Sequence, residues 1–179
     1  MTGTVDLDKA RKEMAARRGF RNWKTRFSEE FGIETVLRQI SNRSLMMLAE
    51  GRDNSTFYLL DLIMNLQNLG SGFEFNDLPP KDKMKVMDSY LFLLDRVRFE
   101  WMKRLGWLEG YPGEELPIVD LVLGAEELVS RLQSRTPLLS RQHPRFEEYH
   151  NMNGYEREEL VRKLIPDALK AIEDQSTTL

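Results

Sequence analysis

Both histidines of the chain lie in HPRFEEYH, residues 143 to 150, with Glu147 four residues after the first and three before the second. On a helix those steps put His143, Glu147 and His150 along one face. Two imidazoles and a carboxylate, completed by water, describe many catalytic zinc and iron centres, so a divalent metal is the cofactor this cluster would hold. Glu147 with His150 also forms the Glu-x-x-His pair of di-iron bundles. That chemistry needs a second such pair, and the chain has no further histidine. Pro144 biases His143 out of the helical region, which weakens its share in the face. Arg141, Arg145 and Glu148 give the stretch the character of a solvated turn with Phe146 and Tyr149 packing inward. The alternatives are a metal site, a pH-sensitive or acid/base pair, and a polar turn before the last helix.

A second candidate is Asp61, set in the apolar run Leu59-Leu60-Asp61-Leu62-Ile63-Met64. A buried carboxylate there could move protons, but Asn65 and Asn68 follow at helical spacing and make a polar stripe an equal reading. Asp95, with Arg96 or Arg98, reads as an exposed or locally paired charge. Other chemistries find no residues. Without cysteine there is no disulfide framework, thiolate metal site or thiol nucleophile. Gly70-Ser71-Gly72 opens like a phosphate loop, yet Phe75 stands where a third glycine belongs and a helix precedes it. No Gly-Lys-Ser/Thr, Gly-x-Ser-x-Gly, His-Glu-x-x-His or EF-hand loop occurs.

Charge supplies the third candidate. Residues 9 to 27 carry eight lysines and arginines against Glu13 alone, a net of +7, whereas residues 28 to 179 carry −8. Phe20, Trp23 and Phe27 recur at steps of three and four within that basic stretch. Arg17, Arg18, Arg21, Trp23 and Lys24 are therefore candidates for contacting nucleic-acid phosphates and bases, a partner protein or an anionic membrane. The competing reading docks the aromatic stripe on the body and leaves its charges to pair with the acidic remainder. No helix-turn-helix with a basic second helix and no sheet for RNA recognition supports the nucleic-acid reading.

The elements that must position these residues are helical. Periodic apolar residues predict segments over roughly 5–18, 20–27, 28–51, 57–70, 81–105, 117–134 and 155–174, with Gly19 interrupting the first pair and Ser28-Glu29-Glu30 starting the third. Asp53, Asn54 and Ser55 serve as caps, GSGFEFNDLPP is a linker, and Pro166 kinks or restarts the last helix. No strand-like alternation of useful length appears. The expected fold class is all-α, a compact bundle of five to seven helices, with a basic amphipathic arm over residues 1–27 and one helical domain over 28–179. Hydrophobic residues at 41% are enough for a core in a chain of 179 residues. No apolar run reaches membrane-spanning length and no secretory signal is apparent, so the expected location is the cytoplasm. The main functional expectation is a non-catalytic helical protein acting through protein–protein contacts or self-association, with aromatic and methionine-rich helix faces as the interface. The alternatives are a metal-dependent enzyme using His143, Glu147 and His150, and a nucleic-acid binder using the basic arm.

Overall fold

The computed structural model describes residues 2–51, 55–132 and 136–176. Its helices are α1 (Thr2–Phe27), α2 (Asn42–Glu50), α3 (Ser55–Leu66), α4 (Pro80–Arg104), α5 (Ile118–Leu123), α6 (Ala125–Leu132), α7 (Phe146–His150), α8 (Gly154–Lys163) and α9 (Ile165–Ser176). Two strands, β1 (Leu108–Gly110) and β2 (Leu138–Leu139), pair antiparallel, with Leu108 opposite Leu139 and Gly110 opposite Leu138 across a bulge. The protein is thus mostly helical, with more helices than the expected five to seven and a small sheet that residue alternation did not reveal. Among the described residues no helix is long and apolar enough to cross a membrane.

The differences from expectation each have a local cause. Gly19 does not break α1. A Cβ placed there would meet Leu62 Cδ1 at 2.8 Å and the Leu62 backbone at 3.3 Å, so the glycine lets α1 and α3 approach closely. Helix α1 runs on to Phe27 and stops at Ser28, which takes a left-handed φ of 55°. Ser28, Glu29 and Glu30 therefore start no helix. The chain from 28 to 41 crosses the body instead, fastened where the Ile118 amide donates to the Thr35 carbonyl at 2.9 Å, and only a 3-10 turn at Leu37–Gln39 interrupts it. Val36, Leu37 and Ile40 are still buried there, so their apolar spacing reported burial rather than helix. The actual cap of α2 is Ser41, whose Oγ accepts from the Ser44 amide, and α2 ends at Gly51 with φ 72°.

The predicted helix over 117–134 divides at Gly124, whose amide caps α5 on the Asp120 carbonyl at 2.8 Å. The last predicted helix divides at Leu164. Pro166 carries no N–H to continue the ladder, and it is accommodated in the first turn of α9, where that donor is not needed. The proposed caps Asp53 and Asn54 lie outside the described residues, while Ser55 is the first residue of α3. Helix α4 matches its expected segment closely, because it is long, strongly periodic and entered through proline, whereas α3 begins before and ends short of the expected 57–70.

The core gathers around α3 and α4. Trp23, Leu45, Leu48, Leu62, Ile63, Met64, Leu93, Phe99, Met102 and Ile118 are fully or nearly fully buried. The apolar side of α1 enters the same cluster through Ala15, Ala16, Phe20, Trp23 and Phe27, chiefly against α3. At the other end of the chain, α9 packs on α2 and α4 through Ala168 and Ile172. Methionine is divided between the two environments, with Met64 and Met102 buried and Met14 and Met84 largely exposed.

Candidate functional site

The aromatic stripe of α1 is a packing device. Phe20, Trp23, Phe27 and Phe31 form a cluster of stacked and edge-on rings with centroids 5.1 to 6.2 Å apart. The Trp23 indole N–H donates to the Tyr58 carbonyl at 2.8 Å, and the residue is 0% exposed. Trp23 is therefore withdrawn from any base or partner, in contrast to its candidacy as a contact residue. The cations separate from the aromatics because helical geometry puts them on the opposite side. Arg17, Arg18, Arg21 and Lys24 are all exposed. Lys24 pairs with Glu30 at 2.9 Å between two highly exposed side chains, and Arg18 reaches Asn68 Oδ1 at 3.5 Å. Neither Arg17 nor Arg21 has a carboxylate within ion-pair distance among the described residues. Farther toward the amino terminus, Lys12 pairs with Asp120 on α5.

The stretch 143–150 is divided by its own backbone. Helix α7 begins only at Phe146, so Glu147 and His150 share it while His143 sits in the preceding turn, its amide on the Ser140 carbonyl at 3.0 Å. The His143 Nδ1 accepts the Arg145 amide at 3.1 Å, and its ring lies edge-on to Trp107 with centroids 5.8 Å apart. Burial first, then the positive charge of Arg145, holds the His143 pKa below its ordinary value. His150 stacks on Phe146 at 5.7 Å, and Glu147 is exposed. Tyr149 is the inward anchor, donating its hydroxyl to the Pro137 carbonyl at 2.6 Å, with Arg157 over its ring. Among the described residues no group of three or more histidines and carboxylates is arranged to hold a metal ion, His143, Glu147 and His150 included.

Asp61 is 2% exposed and both its carboxylate oxygens accept hydrogen bonds. Asn22 Nδ2 donates to it at 3.0 Å, Asn65 Nδ2 at 3.1 Å and the Gly72 amide at 2.9 Å. It ties α1, α3 and the 3-10 turn at Gly72–Asp77 together, so Gly72 anchors a structural turn. Asp95 pairs across elements with Arg162 of α8 at 2.7 Å, and Arg98 donates instead to the Ala49 carbonyl. Arg96 is buried between the rings of Phe92 and Phe99, donating to the Pro112 carbonyl at 2.7 Å. Nearby, Glu100 accepts from the Tyr111 hydroxyl at 2.8 Å and from Arg104 at 3.3 Å. Burial, then the charge of Glu100 and the hydrogen bond to it, push the Tyr111 pKa far up. Tyr111, Glu100 and Arg104 thus form one hydrogen-bonded chain, whereas the buried Arg96 Nε is left without a hydrogen-bond partner.

The feature without a signal in residue spacing is a cleft of about 700 Å³ between the 106–107 turn, the 142–145 turn and α9. Only His143 of the histidine stretch's three candidate residues lines it, beside Trp107, Leu164, Asp167 and Lys170. Trp107 follows Gly106, which takes φ 81° and ends α4, so the tryptophan falls outside the helical periodicity that marked the core. No family model matches the chain, and no curated protein and no solved structure was found to be similar to it.

Proposed function

We propose a non-catalytic role in which this protein binds an acidic protein surface through the outward face of α1. The observation that carries the reading is the division of that helix. Its aromatic side is locked in the core, which fixes the backbone, while Arg17 and Arg21 stand exposed with no carboxylate partner among the described residues. A rigid row of uncommitted guanidinium groups is suited to bidentate pairing with carboxylates. Base stacking is unavailable because Phe20, Trp23 and Phe27 are buried, which favours a protein partner over single-stranded nucleic acid. An acidic surface of this kind exists on the chain itself. Residues 146 to 176 hold eight carboxylates against four lysines and arginines, on helices of which α9 packs on α2 and α4, α8 on α9 and α7 on α8, while α1 packs chiefly on α3. A second copy is accordingly the first partner to test.

Sedimentation velocity at low and physiological salt, with fluorescence anisotropy using labelled poly-L-glutamate and a short DNA duplex, tests the proposal. Expected are salt-sensitive self-association or poly-L-glutamate binding, and loss of either in the double variant Arg17→Glu/Arg21→Glu. A strict monomer that ignores poly-L-glutamate, or one that binds the duplex more tightly, overturns it.

A further inference from the structure

The cleft beside His143 has the makings of a small-molecule site independent of α1. Its volume of about 700 Å³ is within the range of ligand pockets, and its floor is apolar, formed by Trp107, Leu164 and Ala171. Three observations show uncommitted polar groups around that floor. The indole N–H groups of Trp23 and Trp101 each donate to a backbone carbonyl, whereas the half-buried Trp107 has no hydrogen-bond acceptor among the described residues. His143 spends Nδ1 on the Arg145 amide, which leaves Nε2 as its remaining ring nitrogen and, in the neutral ring, as the N–H donor. Lys170 and Asp167 stand one turn apart on α9, both exposed, and neither has an ion-pair partner among the described residues. Arg145 and Asp174 also line the cleft, but Arg145 is committed to Glu148, with two contacts of 2.8 Å, and Asp174 is engaged in an interaction of its own, which leaves Lys170 and Asp167 as the uncommitted charges.

The pairing of signs narrows the ligand. A simple anion would gain Lys170 and meet Asp167, and a simple cation would face the reverse. A molecule bearing both charges near one another satisfies both residues, and a flat apolar body suits Trp107 and the edge-on His143 ring. We propose that this cleft binds a small aromatic zwitterion of the free aromatic amino acid class, with Lys170 on its carboxylate, Asp167 on its ammonium and Trp107 against its ring. No bond is made or broken; the site is one of recognition.

L-phenylalanine is the probe, with phenylacetate and phenethylamine as analogues lacking one charge each. Titration is followed by calorimetry and by the indole N–H signals in nitrogen-15 NMR spectra, Trp107 being assigned through Trp107→Phe. Expected are saturable binding of phenylalanine with a shift confined to the Trp107 signal, and about tenfold weaker binding of either analogue, as for loss of one charged hydrogen bond. Lys170→Ala and Asp167→Asn, both on the exposed side of α9, should each weaken binding by a similar factor while leaving the thermal midpoint near that of the wild type. The proposal is overturned by the absence of saturable binding, by equal affinity for phenylacetate, or by unchanged affinity in both variants. Because none of these residues lies on α1, its failure leaves the acidic-partner reading intact, and the reverse holds.

Discussion

Single residues in this protein matter most where a polar group is enclosed. The Asp61 carboxylate receives three donors from three elements, and removing it would leave the Asn22 amide and the Gly72 N–H without this acceptor, while the Asn65 amide keeps only its bond to the Asp61 backbone carbonyl at 2.8 Å. Asp61→Ala should therefore lower the unfolding free energy by about 3 kcal/mol, the scale of losing a buried hydrogen-bonded charge, read from urea denaturation. Glu29 behaves differently because it is only partly enclosed. Burial alone would raise its pKa, but the Ser41 and Ser44 hydroxyls, the Ser41 amide and the charge of Arg104 outweigh burial and lower it. A carboxylate with a depressed folded pKa contributes stability that is complete above its ordinary value of 4.5 and lost as pH falls through the folded value. The stability gap between wild type and Glu29→Gln should narrow on acidification below that value in denaturation curves taken across pH. Asp95 carries the opposite sign. Its burial exceeds the help from Arg162, its pKa is raised, and its contribution declines as pH rises from the ordinary carboxylate value toward the folded one.

At the scale of elements, the contact between α1 and α3 is the most extensive between any two helices, and Gly19 sets its closeness. Two effects compete on substitution. Replacing glycine within a helix gains up to about 1 kcal/mol in propensity, whereas forcing atoms into the Leu62 contact costs about 1 to 3 kcal/mol. For valine the second effect wins, because its branched Cβ has poor helix propensity and cannot turn away from the Leu62 backbone. Gly19→Val should destabilise by about 2 kcal/mol or more in chemical denaturation, while glycine-to-alanine at exposed Gly32, which has nothing within 4 Å, should not show that packing loss. Pro166 is tolerated for a backbone reason: it falls where one helix ends at Leu164 and another begins at Ile165, so no ladder bond is forfeited.

For the whole molecule, charge distribution is the property with functional consequence. The basic residues of α1 and the carboxylates of α7 to α9 are carried by different elements, α1 packing chiefly on α3 and α9 on α2 and α4, and pairs such as Lys12–Asp120, Lys24–Glu30 and Arg162–Glu158 offset only part of the charge asymmetry. Contacts made by these charges should weaken as ionic strength rises from low to physiological, since the screening length shortens to about 8 Å. Arg17→Glu/Arg21→Glu should remove them while changing stability by only about 0.5 kcal/mol, because both side chains are exposed and without carboxylate partners. Thermal denaturation beside the sedimentation measurement separates these effects.

The sequence by itself determined the helices whose apolar residues repeat over many turns: α4 was legible almost to the residue, and α3 as an element though not at its ends. It also determined the charge asymmetry and the exclusion of His143 from the helix of Glu147, since Pro144 acts through local sterics. Tertiary structure decided the rest. Val36, Leu37 and Ile40 have helical spacing but are buried by a crossing segment, because burial rewards apolar side chains whatever backbone delivers them. Gly19 was read as a break because a missing Cβ has the same appearance in a sequence whether it loosens a backbone or admits a neighbour. Trp107, His143, Asp167 and Lys170 come from three separate segments, and no periodicity or motif links them. They meet only because the strand pairing at 108–110 and 138–139 folds the 140–145 turn back toward α9, a long-range event that local spacing cannot encode.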